Sequence, residues 1–442
     1  MGPIGEVGLP DPLAERHAEH LDPAAPAALD PPATRPPAGR HRWTHGPGWA
    51  DFRRFWAAHA VSSFGDQLSL VALPLATFAV TDSAVAVGLV ASAEAVTAVA
   101  FGLAAGAIAD HLPHRRLLVR TDVARAAVLA LLAVALLTPV PDLPALLAAA
   151  LAVGVLRVTH DASASAVLPI VVSHTDLLAA NGRLNSAESA STASGPALAG
   201  GLVALGGPAL AFVADAATFV VSACTVRTIR RLDVAPPPTD EPAPRLRSAV
   251  AEGVRALAAD RPMVRLVAVG AALNVMSVCL EAQFIPYADR VLGIGAFGIG
   301  VLFAIGGTAA VLTSLVVAGR TQARGDVIIA GVAVYAAGVA SAGLAPSLAT
   351  AVLAFVTAGA GSAIVASHLA ALRQRRFPVR LQGRIAMAIR TLVLGLLPIP
   401  LVGGGYLSSA TGPEVLFVVA ACVGALVTAW ALVTGAATVR AG

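Results

Sequence analysis

The stretch Gly106-Ala-Ile-Ala-Asp110-His-Leu-Pro-His-Arg115-Arg116 is a short polar segment between two long apolar runs. Asp110 ends the first run, the arginine pair begins the second, and Gly102 lies one helical turn before the segment. If the flanking runs cross a lipid bilayer as helices, the segment is a charged loop at one membrane face. Whether the flanking runs cross a bilayer is tested by the pattern of apolar and charged residues in the rest of the chain.

The composition favours a multi-pass membrane protein. The chain has 442 residues, of which 57% are hydrophobic and only 13% are charged. A soluble domain carries about 25% charged residues, so this much apolar surface is typical of many membrane spans. All 30 basic residues are arginine. The three cysteines lie in apolar runs without metal-ligand spacing, so we expect neither a disulfide framework nor a metal site.

Apolar runs of about 20 residues, the length that crosses a bilayer as a helix, follow one another from Phe55 onward. The twelve predicted spans are 55–80, 86–109, 117–139, 144–168, 184–206, 208–230, 264–288, 295–319, 326–345, 347–371, 384–408 and 413–435. The sequence therefore predicts an all-α membrane protein.

The arginines supply a second test of this count, because cytoplasmic loops collect them. They concentrate in every second loop, with Arg290 on the outer side and Arg157 within a span as the exceptions we identify. The loops without arginine are 81–85, 140–143, 206–208, 345–347 and 409–413. This alternation predicts twelve helices in the cell membrane with both termini in the cytoplasm.

The spans fall into two halves. Pro74 and Gly88 recur, at the same offset, as Pro286 and Gly300, which indicates two six-helix pseudo-repeats. Such parallel repeats bind substrate at their interface near the membrane midplane. The linker starts with a proline-rich stretch and continues with a short amphipathic helix at the inner face. The predicted units are a disordered cytoplasmic tail (1–50), a six-helix bundle (51–230), the linker (231–262), a second six-helix bundle (263–436) and a cytoplasmic tail (437–442).

Several motifs resemble a known family. The opening of the first span resembles the first helix of the drug-efflux branch of the major facilitator superfamily, which includes the enterobactin and macrolide exporters. The matching pieces are Phe52–Trp56, Ser62–Asp66, Ala72–Leu75, Gly106–Arg116, Leu178–Arg183 and Ser194–Gly201. The resemblance covers about residues 50 to 435. It implies the major facilitator fold, with twelve transmembrane helices in two six-helix pseudo-repeats, and secondary active transport.

The opening loop is a predicted conformational latch. Two glycines on one helix face permit close contact with a neighbouring helix, which the resemblance identifies as the eleventh, beginning near Gly383. The loop aspartate could accept hydrogen bonds from that helix's N-terminus, and the arginine pair could hold either aspartate. The predicted latch consists of Gly102, Gly106, Asp110, Arg115, Arg116 and Asp122. The alternative is an ordinary charge cluster at the membrane interface.

Gly195, Pro196, Gly200 and Gly201 resemble the fifth-helix motif of antiporters. Proline removes one backbone hydrogen bond and bends a helix, and the glycines let the bend pack tightly. The connection of this motif with export is implied by the resemblance.

Charged residues inside the spans are the candidate site. Each costs about 2.5–3.5 kcal/mol at a helix centre, so each needs a reason to be there. In the fold implied by the resemblance, the first, fourth, seventh and tenth helices line a central cavity, with Asn274 and Gln283 as polar neighbours. The candidates for proton coupling or cavity lining are Asp66, Arg157, His160, Asp161, Glu188 and Glu281.

Arg157 and Asp161 lie four residues apart on one helix and are predicted to pair. In the functional interpretation Asp161 or Glu188 exchanges a proton, and Arg157 holds the carboxylate charged until protonation releases it. His160 could itself change charge near neutral pH. The alternative interpretations are a neutralised structural ion pair and a hydrogen-bonded structural histidine.

The absent motifs restrict the function. A Walker loop needs lysine, which the chain lacks, and no metalloprotease or serine-hydrolase motif is present. We predict a transporter, not an enzyme, with no cofactor and no nucleic-acid partner. It acts as a monomer in the lipid bilayer and uses protons to export small lipophilic or amphipathic compounds, conferring multidrug resistance. The alternatives are a lipid or metabolite transporter and a non-transporting receptor or scaffold. A transporter should contain a polar-lined central cavity open to one side, whereas a scaffold can be filled.

Overall fold

The computed structural model describes residue 2 and residues 49–138, 142–172, 176–233, 246–318 and 323–439. The predicted tail lies outside the described residues, except for residue 2 and residues 49–50. Helices dominate the described part. They are α1 (Trp49–Thr81), α2 (Ala84–His111), α3 (His114–Ala135), α4 (Leu143–Val171), α5 (Leu177–Arg227), α6 (Leu246–Ala259), α7 (Arg261–Tyr287), α8 (Ala296–Ala318), α9 (Gly325–Leu344), α10 (Leu348–Arg376), α11 (Val379–Leu396), α12 (Pro398–Thr411) and α13 (Pro413–Val433).

The helices are consistent with twelve membrane crossings. Within the described residues, ten helical stretches are long and apolar enough to span a bilayer. One of them is α5, whose backbone leaves helical geometry at Gly206 and Gly207, where the second glycine has a φ of 72°. The break divides α5 into two crossings, α5a (177–205) and α5b (208–227). The remaining predicted span, 117–139, corresponds to α3, which is not one of the ten stretches because it carries five charged residues.

The eleventh predicted span (384–408) is interrupted. It consists of α11 and α12, which meet at Leu397 just before Pro398. Proline has no N–H to donate and its fixed φ suits the first turn of a helix. The chain therefore ends one helix and starts the next at this point, close to the space between the two halves.

The linker helix α6 packs against the second half. Arg384 of α11 forms an ion pair with Glu252 of α6, and Gly253 lies against the carbonyl group of Arg384, so that a side chain there would collide with the backbone. Arg376 at the end of α10 also holds Asp260, with 2.7 Å between Nε and Oδ2. The preceding proline-rich stretch lies outside the described residues.

Glycines bring the two halves into backbone contact at two places. Gly88 of α2 lies against the carbonyl oxygen of Leu401 in α12. Gly300 of α8 lies against the carbonyl oxygen of Pro196 and the Cα of Gly200 in α5a. Gly88 and Gly300 are the glycines matched by the predicted repeat, so the two contacts are equivalent in the two pseudo-repeats. Only glycine permits such an approach, as in other small-residue helix contacts.

The two ends of the molecule differ. At one end the halves are bridged by Arg290, whose guanidinium donates to the carboxylate of Asp82 (2.7 Å) and to its carbonyl oxygen (2.8 Å). Toward the other end of α2, a Cβ atom added to Gly102 or Gly106 would meet no atom within 4 Å. The close helix contact predicted at these two glycines is therefore wrong for this conformation, because they face open space.

Candidate functional site

A cavity of about 330 Å³ lies between the two halves. Helices α1, α2 and α4 line it from the first half, and α7, α8, α11 and α12 line it from the second. Most of its lining is apolar, with charged residues of both signs. The charged lining residues are Glu94, Arg157, Asp161, Glu281 and Arg390. Apolar walls with a few polar groups are typical of small-molecule sites.

Arg157 pairs across helices, not along its own. Its Nη1 lies 3.6 Å from Oε2 of Glu94 on α2, the helix that packs beside α4. Within the described residues Arg157 forms no ion pair with Asp161, because its guanidinium reaches the neighbouring helix, although the two side chains interact electrostatically. Within the described part of the chain, Asp161, Glu281 and Arg390 line the cavity without forming an ion pair. Two carboxylates and one guanidinium are thus available to a bound molecule.

Other predicted cavity residues lie elsewhere. Asp66, His160 and Glu188 are not among the lining residues, and α10 contributes none. Asn274 donates back to its own helix at 2.9 Å. Gln283 is buried and joins the halves, with its Nε2 3.2 Å from the carbonyl oxygen of the first residue of α2. Of the predicted set, Arg157, Asp161 and Glu281 line the cavity, Asp66 and His160 contact α3 inside the first half, and Glu188 is exposed on α5a.

Polar residues from four helices meet inside the first half. We call this set the buried cluster: Asp66 on α1, Asp122 and Arg125 on α3, His160 on α4 and Asp215 on α5b. Arg125 forms an ion pair with Asp66, and its guanidinium carbon lies 3.8 Å from the centroid of the Phe219 ring. The arginine side chain is only 2% exposed, and its Nε is buried without a hydrogen-bond partner among the described residues, so these contacts replace only part of its water shell.

Asp122 and His160 form the second part of the buried cluster. Nδ1 of His160 lies 3.1 Å from Oδ1 of Asp122 and 3.3 Å from Oγ1 of Thr121. Ser222 donates to Oδ2 of Asp122 at 2.7 Å. The Asp122 side chain is fully buried, so its surroundings determine whether it carries a charge.

The latch contacts predicted for Asp122 are therefore wrong in this conformation. Its carboxylate lies deep in the bundle, whereas Arg115 donates to the carbonyl oxygen of Arg227 at 3.4 Å and Arg116 is exposed. The side chain of Asp110 lies outside the described residues.

Asp215 is the third carboxylate of the buried cluster. Its Oδ2 accepts a hydrogen bond from Ser69, and its Oδ1 lies 3.2 Å from the hydroxyl group of Thr218, which also donates to the backbone carbonyl oxygen of Asp215 at 2.7 Å. Gly65 makes this arrangement possible, because a side chain at its position would collide with both Thr218 and Asp215. Helices α1 and α5b are therefore closely packed around a carboxylate that has no basic partner among these contacts.

The residues of the antiporter-type motif lie at helix contacts. Gly195 faces Gln67 of α1, Gly200 packs against α8, and a Cβ atom added to Gly201 would lie 4.0 Å from the ring of Phe297. The backbone stays helical at Pro196, and the non-helical residues of α5 are Gly206 and Gly207. The motif instead supplies one of the two glycine contacts between the halves.

Three polar residues in spans escaped the sequence prediction. Arg125 belongs to the buried cluster, Arg390 lines the cavity, and His59 interacts electrostatically with Glu188, His160 and Asp161. Each interrupts an apolar run in the same way as the residues that were identified. The sequence carried the signal that would have identified them, because an ionisable residue within a membrane span is costly and needs a partner.

Comparisons with known proteins agree with this architecture. The sequence model described as Major Facilitator Superfamily matches residues 55–399. The nucleoside transporter NupG has a TM-score of 0.70 at 12% identity, over 87% of this chain and 98% of that chain. A bacterial homologue of the iron transporter ferroportin, in an inward-facing state, has a TM-score of 0.70 at 14% identity, over 88% and 99% of the chains.

A third similar structure is a bacterial homologue of the human lysosomal transporter Spinster, also inward-facing. It has a TM-score of 0.69 at 14% identity, over 89% of this chain and 98% of that chain. At these identities the likeness concerns the fold alone. Among curated protein sequences there is no match.

Proposed function

The chain belongs to the major facilitator superfamily, and from this premise we propose that it is a proton-coupled exporter of small amphipathic compounds in the drug-efflux branch. The cavity between the halves, lined by apolar residues and by charges of both signs, is the observation that carries the proposal. A protein that served only as a scaffold would have no use for unpaired charges in a central space, since each is costly within a membrane.

The cavity favours a cargo with a cationic group. Asp161 and Glu281 face it from opposite halves, so an amine held by both would contact both moving parts of the transporter. The apolar wall, which includes Leu73 and Phe303, takes the lipophilic part of the same molecule. Arg390 provides a donor for an acceptor group of the cargo.

Alternating access is supported by the unequal ends of the molecule. The glycine contacts and the Arg290–Asp82 bridge hold one end together, while Gly102 and Gly106 face open space toward the other. In the opposite conformation we propose that these two glycines pack against α11 and that Asp110, Arg115 and Arg116 form the latch. From the arginine distribution we propose that the open end and both termini face the cytoplasm.

Transport in proteoliposomes tests the proposal. The purified chain is reconstituted, a pH gradient is imposed, and the movement of ethidium, tetraphenylphosphonium and a macrolide is followed. We expect the gradient to drive at least one of these compounds against its concentration gradient. Because a hydrogen bond to a charged group is worth about 1.5–3 kcal/mol, Asp161→Asn and Glu281→Gln should each raise KM by about tenfold or more.

The matched control is Asp326→Asn, which removes a carboxylate at the start of α9, outside the cavity lining. It should leave KM unchanged. Cargo exchange without a response to the pH gradient would exclude proton coupling and favour a lipid or metabolite transporter. No movement of any probe, together with binding that both cavity variants leave intact, would favour a receptor or scaffold.

A further inference from the structure

The buried cluster carries an imbalance of charge. It contains three carboxylates (Asp66, Asp122 and Asp215) but a single guanidinium, that of Arg125. With His160 neutral and every carboxylate ionised, two negative charges have no compensation. A buried site of low polarity strongly disfavours such uncompensated charge, and groups there change protonation instead.

The geometry indicates where the compensating protons lie. Asp66 has the guanidinium of Arg125 as its partner and can remain ionised. Oδ1 of Asp122 lies 3.1 Å from Nδ1 of His160 and accepts no hydrogen bond from the described residues, so a proton taken up by this pair neutralises the carboxylate. Asp215 has only hydroxyl partners, Ser69 and Thr218, so a second proton on its own carboxyl group neutralises it.

We propose that the buried cluster is a two-proton binding site inside the first six-helix half, separate from the cargo cavity, with one proton on the Asp122–His160 pair and one on Asp215. The inference rests on the proposed proton-coupled transport and assigns its protons to residues outside the cavity lining.

The surroundings of His160 include further titratable and charged groups. Helix α1 contributes His59 and Asp66, both of which interact electrostatically with His160. Helix α3 contributes Asp122 and Arg125, and α5b contributes Asp215. On its own helix, Arg157 and Asp161 flank it, and Glu188 of α5a is near His59 and Arg157.

The proton site lies next to the cavity: two residues of the buried cluster are each adjacent to, or interact directly with, a residue of the cavity lining. His160 is buried, but the next residue, Asp161, lines the cavity. Asp66 is 22% exposed and interacts with Arg157, another cavity residue. A cation bound at Asp161 therefore favours loss of a proton from His160, and protonation of His160 disfavours the cation. Such coupling is reciprocal, as exchange of cargo for protons requires.

Linkage between pH and conformation tests the inference without a known cargo. The three cysteines are replaced by serine, and spin labels are attached to Ile108→Cys on α2 and Met387→Cys on α11, both exposed positions. The distance distribution is measured across a pH series, giving the ratio of the two conformations. The logarithm of this ratio changes with pH by the difference in bound protons, so the wild-type slope should be about two.

His160→Gln and Asp215→Asn should each reduce the slope to about one. Asp142→Asn is the matched control, because Asp142 is an exposed helix-capping residue of the same half and asparagine caps equally well. It should leave the slope at the wild-type value. An unchanged slope in both cluster variants, or a wild-type ratio that does not respond to pH, overturns the inference.

A second measurement covers the case in which a cluster variant fails to fold. Infrared difference spectra of the otherwise unaltered chain, taken on raising the pH, should show loss of the C=O stretch of a buried protonated carboxyl group. Replacement of Ser69 by alanine removes one hydroxyl partner of Asp215 and should shift the frequency of that band. Absence of the band also overturns the inference. Gradient-driven transport with no band would leave the proposed function intact and reassign its protons to the cavity.

Discussion

The two six-helix halves share a topology, but the side chains that fill their interiors differ. The first half contains the buried cluster, with an aspartate–arginine pair, an aspartate–histidine pair and a third aspartate. The second half contains aromatic rings in contact, with centroids 4.7–6.2 Å apart. These rings belong to Phe284, Tyr287, Phe303, Phe355 and Phe417.

The difference suggests a division of labour within one fold. Aromatic packing is insensitive to pH and tolerates small changes of shape. A buried charge cluster contributes little net stability, but it is strongly disturbed by the loss of any one member. If the proposed proton site is correct, the first half is the part that responds to protons and the second half is its rigid partner. Substitutions within the two halves and at the contacts between them can break or sharpen this comparison.

The largest effect is expected at Arg125. The substitution Arg125→Met keeps most of the side-chain volume but leaves the half-buried carboxylate of Asp66 without its cation, which should lower the free energy of unfolding by as much as about 3–5 kcal/mol. The matched change in the second half is Leu280→Met, in a side chain that is 1% exposed, and it should cost less than about 1.5 kcal/mol. Both are measured by unfolding in mixed detergent micelles.

A double variant separates charge from packing at the same position. Asp66→Asn combined with Arg125→Met removes both charges, so it should recover part of the stability lost in Arg125→Met. If the stability loss of the double variant equals the sum of the losses of the two single variants, packing around the arginine side chain outweighs the ion pair.

A smaller effect is expected where the halves meet. Gly200→Ala places a methyl group against the backbone of α8 and should cost about 1–3 kcal/mol in this conformation. Gly102→Ala meets open space and should be neutral, or stabilising by about 0.5–1 kcal/mol through helix propensity. Thermal unfolding of the two variants in one detergent provides the measurement. Equal losses would show that the conformation in solution is closed at Gly102.

The smallest effect is expected at the bridge between the ends of α1 and α7. Arg290 is 39% exposed and Asp82 is 82% exposed, so Arg290→Gln should cost no more than about 1 kcal/mol. The loss should shrink further at high salt, since exposed ion pairs are screened. If Arg290→Gln lost as much free energy of unfolding as Arg125→Met, burial would not be what distinguishes the two ion pairs.

The positions of the helices could be predicted from the sequence, because a bilayer requires about 20 apolar residues per crossing. The break at Gly206–Gly207 and the linker helix also carry local signals. Which charged side chains pair with each other could not be predicted in the same way. Arg157 pairs with Glu94 and Arg125 with Asp66, each across a helix boundary. Which face of a helix meets which neighbour depends on how all the helices pack, and the spacing along one helix favoured Asp161 instead.

The five charges of α3 also bear on how the protein is made. A helix that carries Arg125 and Asp122 in its interior is a poor substrate for insertion on its own. Asp66 precedes it in the chain, so α1 is already synthesised when the arginine emerges from the ribosome. The histidine and serine partners of Asp122 follow later, in α4 and α5b. Retention of α3 in the bilayer should therefore depend on α1 and strengthen as synthesis proceeds, so that biogenesis of the first half is a cooperative assembly and not a series of independent insertions.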